Sequence, residues 1–226
     1  MKKLITVLFV FTGFVMFGQK FSFGIKAGVN YSNVISDYPK DVAPIDINTF
    51  YKPGFQIGGF TEMKISEKFS LQGELLYLNY NYGSDFSYGY NQDSSENILF
   101  DTLEDLESKN SALSIPIVFK YYFIDKLALQ FGPQFDYTFK EKGTRADYVG
   151  DSGAGDSWFE KGDFVKGDYS ENVNEFSWGL DVGLGYDLNE KMGLEFRYNY
   201  GFDKDNESYN TTLNNSIFQL NFQYKF

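Results

Sequence analysis

Neither cysteine nor histidine occurs anywhere in the 226 residues. Without cysteine the chain can form no disulfide, thiol nucleophile or thiolate metal site. Without histidine it has no Ser–His or Asp–His pair and no imidazole-held zinc. Carboxylates remain, but Glu195 and Arg197 stand one strand step apart, and packing explains them better than catalysis. The glycines of Gly183-Leu-Gly-Tyr186 lie inside a strand pattern, where they cannot cradle a phosphate at a strand-to-helix turn. The chain is therefore read as non-enzymatic, with no cofactor and no metal. Basic residues are scarce too: 20 Lys and Arg against 31 Asp and Glu give a net charge of -11. Such a surface repels nucleic acid.

Long apolar runs are missing except at the beginning. Lys2 and Lys3 precede a weakly polar run from Leu4 to Phe17, and Gly18 offers a small residue for cleavage. That run is too short to cross about 30 Å of hydrocarbon as a helix. Residues 1–18 are read as a secretory signal peptide and residues 19–226 as one domain.

Aromatic residues are abundant, at 20% of the chain, yet mean hydropathy is only -0.36. An aromatic-rich but polar chain points to alternation, not to apolar blocks. Alternation is visible in segments 21 to 32, 53 to 65, 69 to 82, 111 to 123, 127 to 139, 173 to 188, 192 to 202 and 215 to 226. In the first, Phe21, Phe23, Ile25, Ala27, Val29 and Tyr31 share one face. In the last, Phe218, Leu220, Phe222, Tyr224 and Phe226 oppose Ile217, Gln219, Asn221, Gln223 and Lys225. Outside these strands only Ile98 to Glu107 has some helical character, within a loop.

Three copies of one phrase separate pairs of these strands: Ile65-Ser-Glu-Lys-Phe-Ser-Leu71, Phe123-Ile-Asp-Lys-Leu-Ala-Leu129 and Leu188-Asn-Glu-Lys-Met-Gly-Leu194. Each reads as a tight turn. The other connections, 33–52, 83–110, 140–172 and 203–214, are long and polar. Short turns alternating with long loops give the plan of an eight-stranded, up-and-down, antiparallel transmembrane β-barrel. An even strand count places both termini on the turn side, which in this class faces the periplasm.

Alternation alone leaves open which face points inward, and volume decides it. An eight-stranded barrel has room inside only for side chains. One face carries Gly24, Gly28, Gly58, Gly132, Gly183, Gly185, Gly193 and Gly201, and the other most of the Phe, Tyr and Leu. The bulky face is therefore assigned to lipid, with Phe131 outward and Gln130 inward. This phase turns Glu62, Glu74, Asp136, Glu175, Asp181, Asp187 and Glu195 inward beside Lys26, Lys64, Lys120, Arg197 and Lys225. Of these, Lys26, Glu62, Lys64, Glu74, Lys120, Asp136, Asp181, Glu195 and Arg197 are the candidate interior ion pairs, since an unpaired buried charge is costly. A filled interior suits the diameter better than a pore. Pro116 and Pro133 cannot donate to a ladder, so a bulge or missing bond is expected at each, and the fourth strand has the least secure register.

Four phrases resemble the small outer-membrane β-barrel family of Gram-negative bacteria, the PorT-like and OmpA-like barrel domains. They are Gly24-Ile-Lys-Ala-Gly-Val-Asn-Tyr-Ser32, Leu71-Gln-Gly-Glu-Leu-Leu-Tyr77, Ile115-Pro-Ile-Val-Phe-Lys-Tyr-Tyr-Phe123 and Gly132-Pro133. The resemblance implies an integral outer-membrane protein, in contact with outer-membrane lipid and with the barrel-insertion machinery. For the latter, Phe222, Tyr224 and Phe226 look like a terminal insertion signal, or simply a last lipid-facing strand. It also implies, as an alternative to a structural or surface-recognition role, an accessory barrel of a protein-secretion system.

The long connections hold 21 acids and 9 bases, so nearly all the charge imbalance lies in them. Asp151-Ser-Gly-Ala-Gly-Asp156 and Asp101 to Glu107 are acidic enough for Ca²⁺ but lack the ligand spacing of a calcium loop. A solvated acidic surface, open to a surface ligand, is the expected state.

Overall fold

The computed structural model describes residues 21–37, 45–91, 98–149, 163–173, 175–202 and 212–226. The proposed signal segment and Asp151 to Asp156 lie outside the described residues. Nine antiparallel strands form one sheet: β1 (Phe21–Asp37), β2 (Ile45–Lys64), β3 (Phe69–Asn91), β4 (Ile98–Ile124), β5 (Leu127–Val149), β6 (Asp163–Glu171), β7 (Glu175–Asp187), β8 (Met192–Phe202) and β9 (Thr212–Lys225). Their order is β4-β3-β2-β1-β9-β8-β7-β5-β6, and β4 also pairs with β5. Every strand except β6 therefore has hydrogen-bonded neighbours on both sides.

The repeated phrases are the turns between β2 and β3, β4 and β5, and β7 and β8. Ser66 Oγ accepts from the Lys68 and Phe69 amides at 3.3 and 3.2 Å, and Asn189 Oδ1 accepts from Lys191 and Met192 at 2.9 Å each. Both side chains stand in for a backbone acceptor at the same position of the phrase. In the middle copy Lys126 takes a positive φ of 70°. The chain ends share this end of the sheet, since Gly24 pairs with Lys225 and the Phe226 amide donates to the Phe23 carbonyl at 2.9 Å.

Eight strands were expected; the eight segments all lie in strands, but the sheet has nine. The ninth, β6, lies in the presumed loop 140–172. The other presumed loops also shorten, because β1 runs to Asp37, β3 to Asn91 and β5 to Val149. Ile98 to Glu107 is strand and not helix: it begins β4 and pairs with β3. Alternation was hard to see there because apolar and acidic residues mix on both faces of the extension. A register shift between Ser84 and Phe86 interrupts it, opposite Asp105 with φ 57° and an amide that donates to Asp85 Oδ1 at 2.9 Å.

The prolines leave gaps in the pairing without moving the register. On β4 and β5, Pro116 pairs with Gln134, then the next pair is Phe119 with Phe131. On β3 and β4 the pairing passes from Gly73–Ile117 to Leu76–Ser114. The β4–β5 register shifts fall elsewhere, at Ser111/Ala112 and Tyr122/Ile124.

Burial runs opposite to that of a water-soluble sheet. Along β7, Phe176, Trp178, Leu180, Val182, Leu184 and Tyr186 are exposed, and the residues between them from Ser177 to Gly185 are buried. Phe131 is 55% exposed and Gln130 2%. The inner face is not purely polar, because Leu78, Tyr80, Ala112 and Ile217 form a small apolar cluster within it.

Space for the larger inner side chains comes from glycine on the neighbouring strand. A Cβ on Gly183 would lie 2.9 Å from Arg197 Cγ. We expect Gly183→Ala to lower stability by about 1–3 kcal/mol through overpacking. Gly59→Ala, whose added methyl meets only the Gly24 carbonyl at 3.6 Å, should change it by less than about 0.5 kcal/mol. Urea unfolding in micelles, followed by tryptophan fluorescence, measures both.

Candidate functional site

The interior side chains converge from strands far apart in sequence. Glu195 on β8 receives Lys26 from β1, Lys120 from β4 at 2.8 Å and Gln130 Nε2 from β5 at 2.9 Å. Arg197, two residues on and on the same face, reaches Glu74 of β3 at 2.5 Å and Glu195 at 2.6 Å, while its Nε donates to Gln130 Oε1 at 2.8 Å. Lys26 also holds Glu74 at 2.6 Å. Gln72 Nε2 adds a bond to Glu74 at 2.7 Å.

The network extends both ways. Toward the turns, Glu62 lies 3.5 Å from Lys120 and 3.0 Å from Lys225. Away from the turns, Asp181 on the adjacent strand β7 stands 3.8 Å from Arg197 and accepts from Asn199 Nδ2 at 2.8 Å. The connected set holds four cations, Lys26, Lys120, Arg197 and Lys225, and four anions, Glu62, Glu74, Asp181 and Glu195. It is formally neutral. Arg197 is 0% exposed and Lys26 1%, so each would be strongly disfavoured without its partners. Charge-assisted bonds at these distances are the strong class.

Four sequence-expected inward charges behave differently. Lys64 is exposed at the turn end, and among the described residues no carboxylate lies within ion-pair reach of it. It closes β2, where the inward phase already meets solvent. Asp136 is buried, but its partner is the amide of Gln134, at 2.9 and 3.1 Å, and no base. Glu175 begins β7 and is exposed. Asp187 accepts from the Tyr122 hydroxyl at 3.1 Å. Phe222 and Phe226 are exposed on the outer face of β9, with Tyr224 half-buried beside them.

Gln72 and Gln134 were not singled out in the sequence, and Gln130 only as an inward residue without a partner, although all three share the inward phase of their strands. Further from the turns amides take over, with Asn30 Nδ2 donating to Gln56 Oε1 at 2.8 Å and Gln56 Nε2 to Asn221 Oδ1 at 2.6 Å. A cavity of about 830 Å³ opens at the turn end, bordered by Glu62, Lys64, Tyr122, Asp187 and Lys225.

A second polar cluster ties β6 to the long ends of β4 and β5. Tyr169 and Ser108 both donate to Glu141 Oε1 at 2.7 Å. Burial holds the Tyr169 hydroxyl above its ordinary pKa, which keeps it a donor at neutral pH. Arg145 lies 5.4 Å from the Tyr169 ring and pairs with Asp147 and Glu171 at 2.9 Å each. Among the described residues no three Asp or Glu converge as a metal site. Asp101 to Glu107 runs along β4, where strand geometry alternates its side chains.

Residues 17–205 match the profile of the outer membrane protein beta-barrel domain. The chain belongs to that family. Membership places it in the outer membrane of a Gram-negative cell and accords with the outward apolar face and charged interior. No curated protein matches the chain in sequence. Among solved structures, Neisserial surface protein A is 11% identical, with 92% of this chain and 99% of that one covered and a TM-score of 0.49. Ail of Yersinia pestis is 12% identical, with 91% and 98% covered and a TM-score of 0.45. The outer membrane protease OmpT of Escherichia coli is 10% identical, with 92% and 97% covered and a TM-score of 0.38. Likeness at this level carries nothing about activity.

Within the barrel, Arg197→Met should cost about 3–5 kcal/mol, because it strands buried carboxylate charge. Adding Glu74→Gln restores neutrality, and the pair should recover at least about half of that loss. Urea midpoints of the two variants and the parent decide it.

Proposed function

We propose that the eight mutually paired strands form a closed transmembrane barrel with a filled interior, and that its acidic outer end serves surface recognition without catalysis. On this reading residues 1–18 are removed on export, and the turns and both strand termini face the periplasm. The observation that carries it is the reversed burial, with a neutral ion network inside and bulky apolar side chains outside. An eight-stranded lumen packed with such side chains leaves no room for a conduit. A transmembrane strand needs only about 9–11 residues, whereas β2 to β5 have 20 to 27. The surplus stands beyond the membrane as sheet, a rigid platform of the kind on which binding surfaces are built.

The absence of native cysteine gives a clean test. Single cysteines replacing Lys142 or Asp168 should react with a membrane-impermeant maleimide on intact cells, and those replacing Ser66 or Asn189 only after lysis. The opposite pattern would contradict the orientation. Deleting the gene should leave the secreted proteome unchanged; loss of many exported proteins would instead assign the barrel to secretion machinery.

A further inference from the structure

The projecting sheet ends in a strand with one neighbour. Along β5 the partner changes from β7, last paired at Thr138–Glu175, to β6, which begins at Glu141–Glu171 and continues to Val149–Asp163. Among the described residues β6 pairs with β5 alone, so one whole edge of nine residues has no ladder. In a strand, alternate residues turn their amide and carbonyl toward each side, so about four residues of β6 present both groups outward. Natural sheets guard such edges with proline, bulges or clustered lysine. β6 has no proline and pairs without a register shift, and its charges are mostly acidic, with Asp163, Asp168 and Glu171 beside one lysine, Lys166.

The strand is also held for use. Tyr169 reaches across β5 to Ser108 and Glu141, and Arg145 clamps Glu171, so the edge is pre-ordered and a partner need not order it. Two competing edges each carry a side-chain bond: on β2 Thr49 Oγ1 donates to the Val34 carbonyl of β1 at 2.7 Å, and on β4, whose pairing with β5 starts only at Ser108, the Glu107 amide donates to Thr144 Oγ1 at 2.8 Å.

We propose that the free edge of β6 is a strand-addition site for an extended polypeptide that alternates basic and apolar residues. The inference rests on the surface-recognition reading above. Main-chain bonds to β6 would supply affinity, and alternate side chains the selectivity. Asp168 and Ser170 project on one face, Val165 and Tyr169 on the other, with Val165 44% exposed. A cation opposite Asp168 and an apolar residue opposite Val165 fit that pattern. On the Asp168 face the flanking Lys166 and Lys142 confine the favourable cation position to the one opposite Asp168, while Arg145, on the Val165 face, is engaged by Asp147 and Glu171. The excess of acid in the outer connections favours the same partner.

A second copy in the same membrane does not fit. Two upright barrels hold their β6 strands pointing the same way, which forbids antiparallel pairing, and a parallel in-register pair would set Asp168 against Asp168.

The full chain, folded in zwitterionic nanodiscs, is titrated with a nine-residue peptide of alternating Lys and Val. The same peptide N-methylated at every backbone amide and a Glu-for-Lys version serve as controls. Amide hydrogen exchange at 163–171 should slow with the first peptide only, and N-methylation should weaken binding by about tenfold or more. Asp168→Lys should weaken it by about tenfold as well, with the fold unchanged. Equal binding of the N-methylated peptide would overturn strand addition but leave an acidic recognition surface standing. Protection confined to another segment, or binding by none of the peptides, would also overturn it.

Discussion

A guanidinium buried to 0% exposure is tolerable only with carboxylate partners, and the interior of this barrel is arranged around that requirement. Arg197 meets Glu74, Glu195 and Gln130 directly, and those groups in turn hold Lys26 and Lys120. The consequence is long-range: Arg197 and Glu74 lie 123 residues apart, yet neither position is tolerable without the other. Strands β1, β3, β4, β5 and β8 are thereby cross-linked through the lumen as well as through their backbone ladders. Glycine at positions such as 183 makes the lumen wide enough for these side chains and no wider.

The same neutrality separates the two halves of the molecule. Inside, four cations meet four anions. Outside the lumen, acid predominates, and β2 to β5 run on well past the ion network as ordered sheet. Secondary structure thus continues past the point where the ring of pairings stops, and β6 takes the place on β5 that β7 leaves.

Much of this was legible in the residues. Period-two alternation located all eight ring strands, the repeated phrase located the turns, and counting glycine against aromatic residues oriented the faces correctly. The ion network could be named because an inward charge on a narrow lumen has few options but a partner. What escaped has physical reasons. Past the ion network apolar and polar residues mix on both phases of a strand, so alternation fades, and β6 and the outer half of β4 resembled loop. Inward phase also fails as a guide at strand ends, where Lys64 and Glu175 meet solvent. It does not distinguish a base from an amide as partner, as Asp136 and Gln134 show. The apolar patch at Leu78 and Ile217 was hidden because the run from Leu75 to Leu78 is apolar on both phases.

The central claim is that the bulky apolar face meets lipid and the charged face is sealed inside. Paramagnetic relaxation from a spin label carried on lipid acyl chains, read along β7 in nanodiscs, tests it most directly. Strong broadening at Trp178, Leu180, Val182 and Leu184, with little at Gly179, Asp181 and Gly183, is the expected pattern. Uniform or inverted broadening would contradict the account.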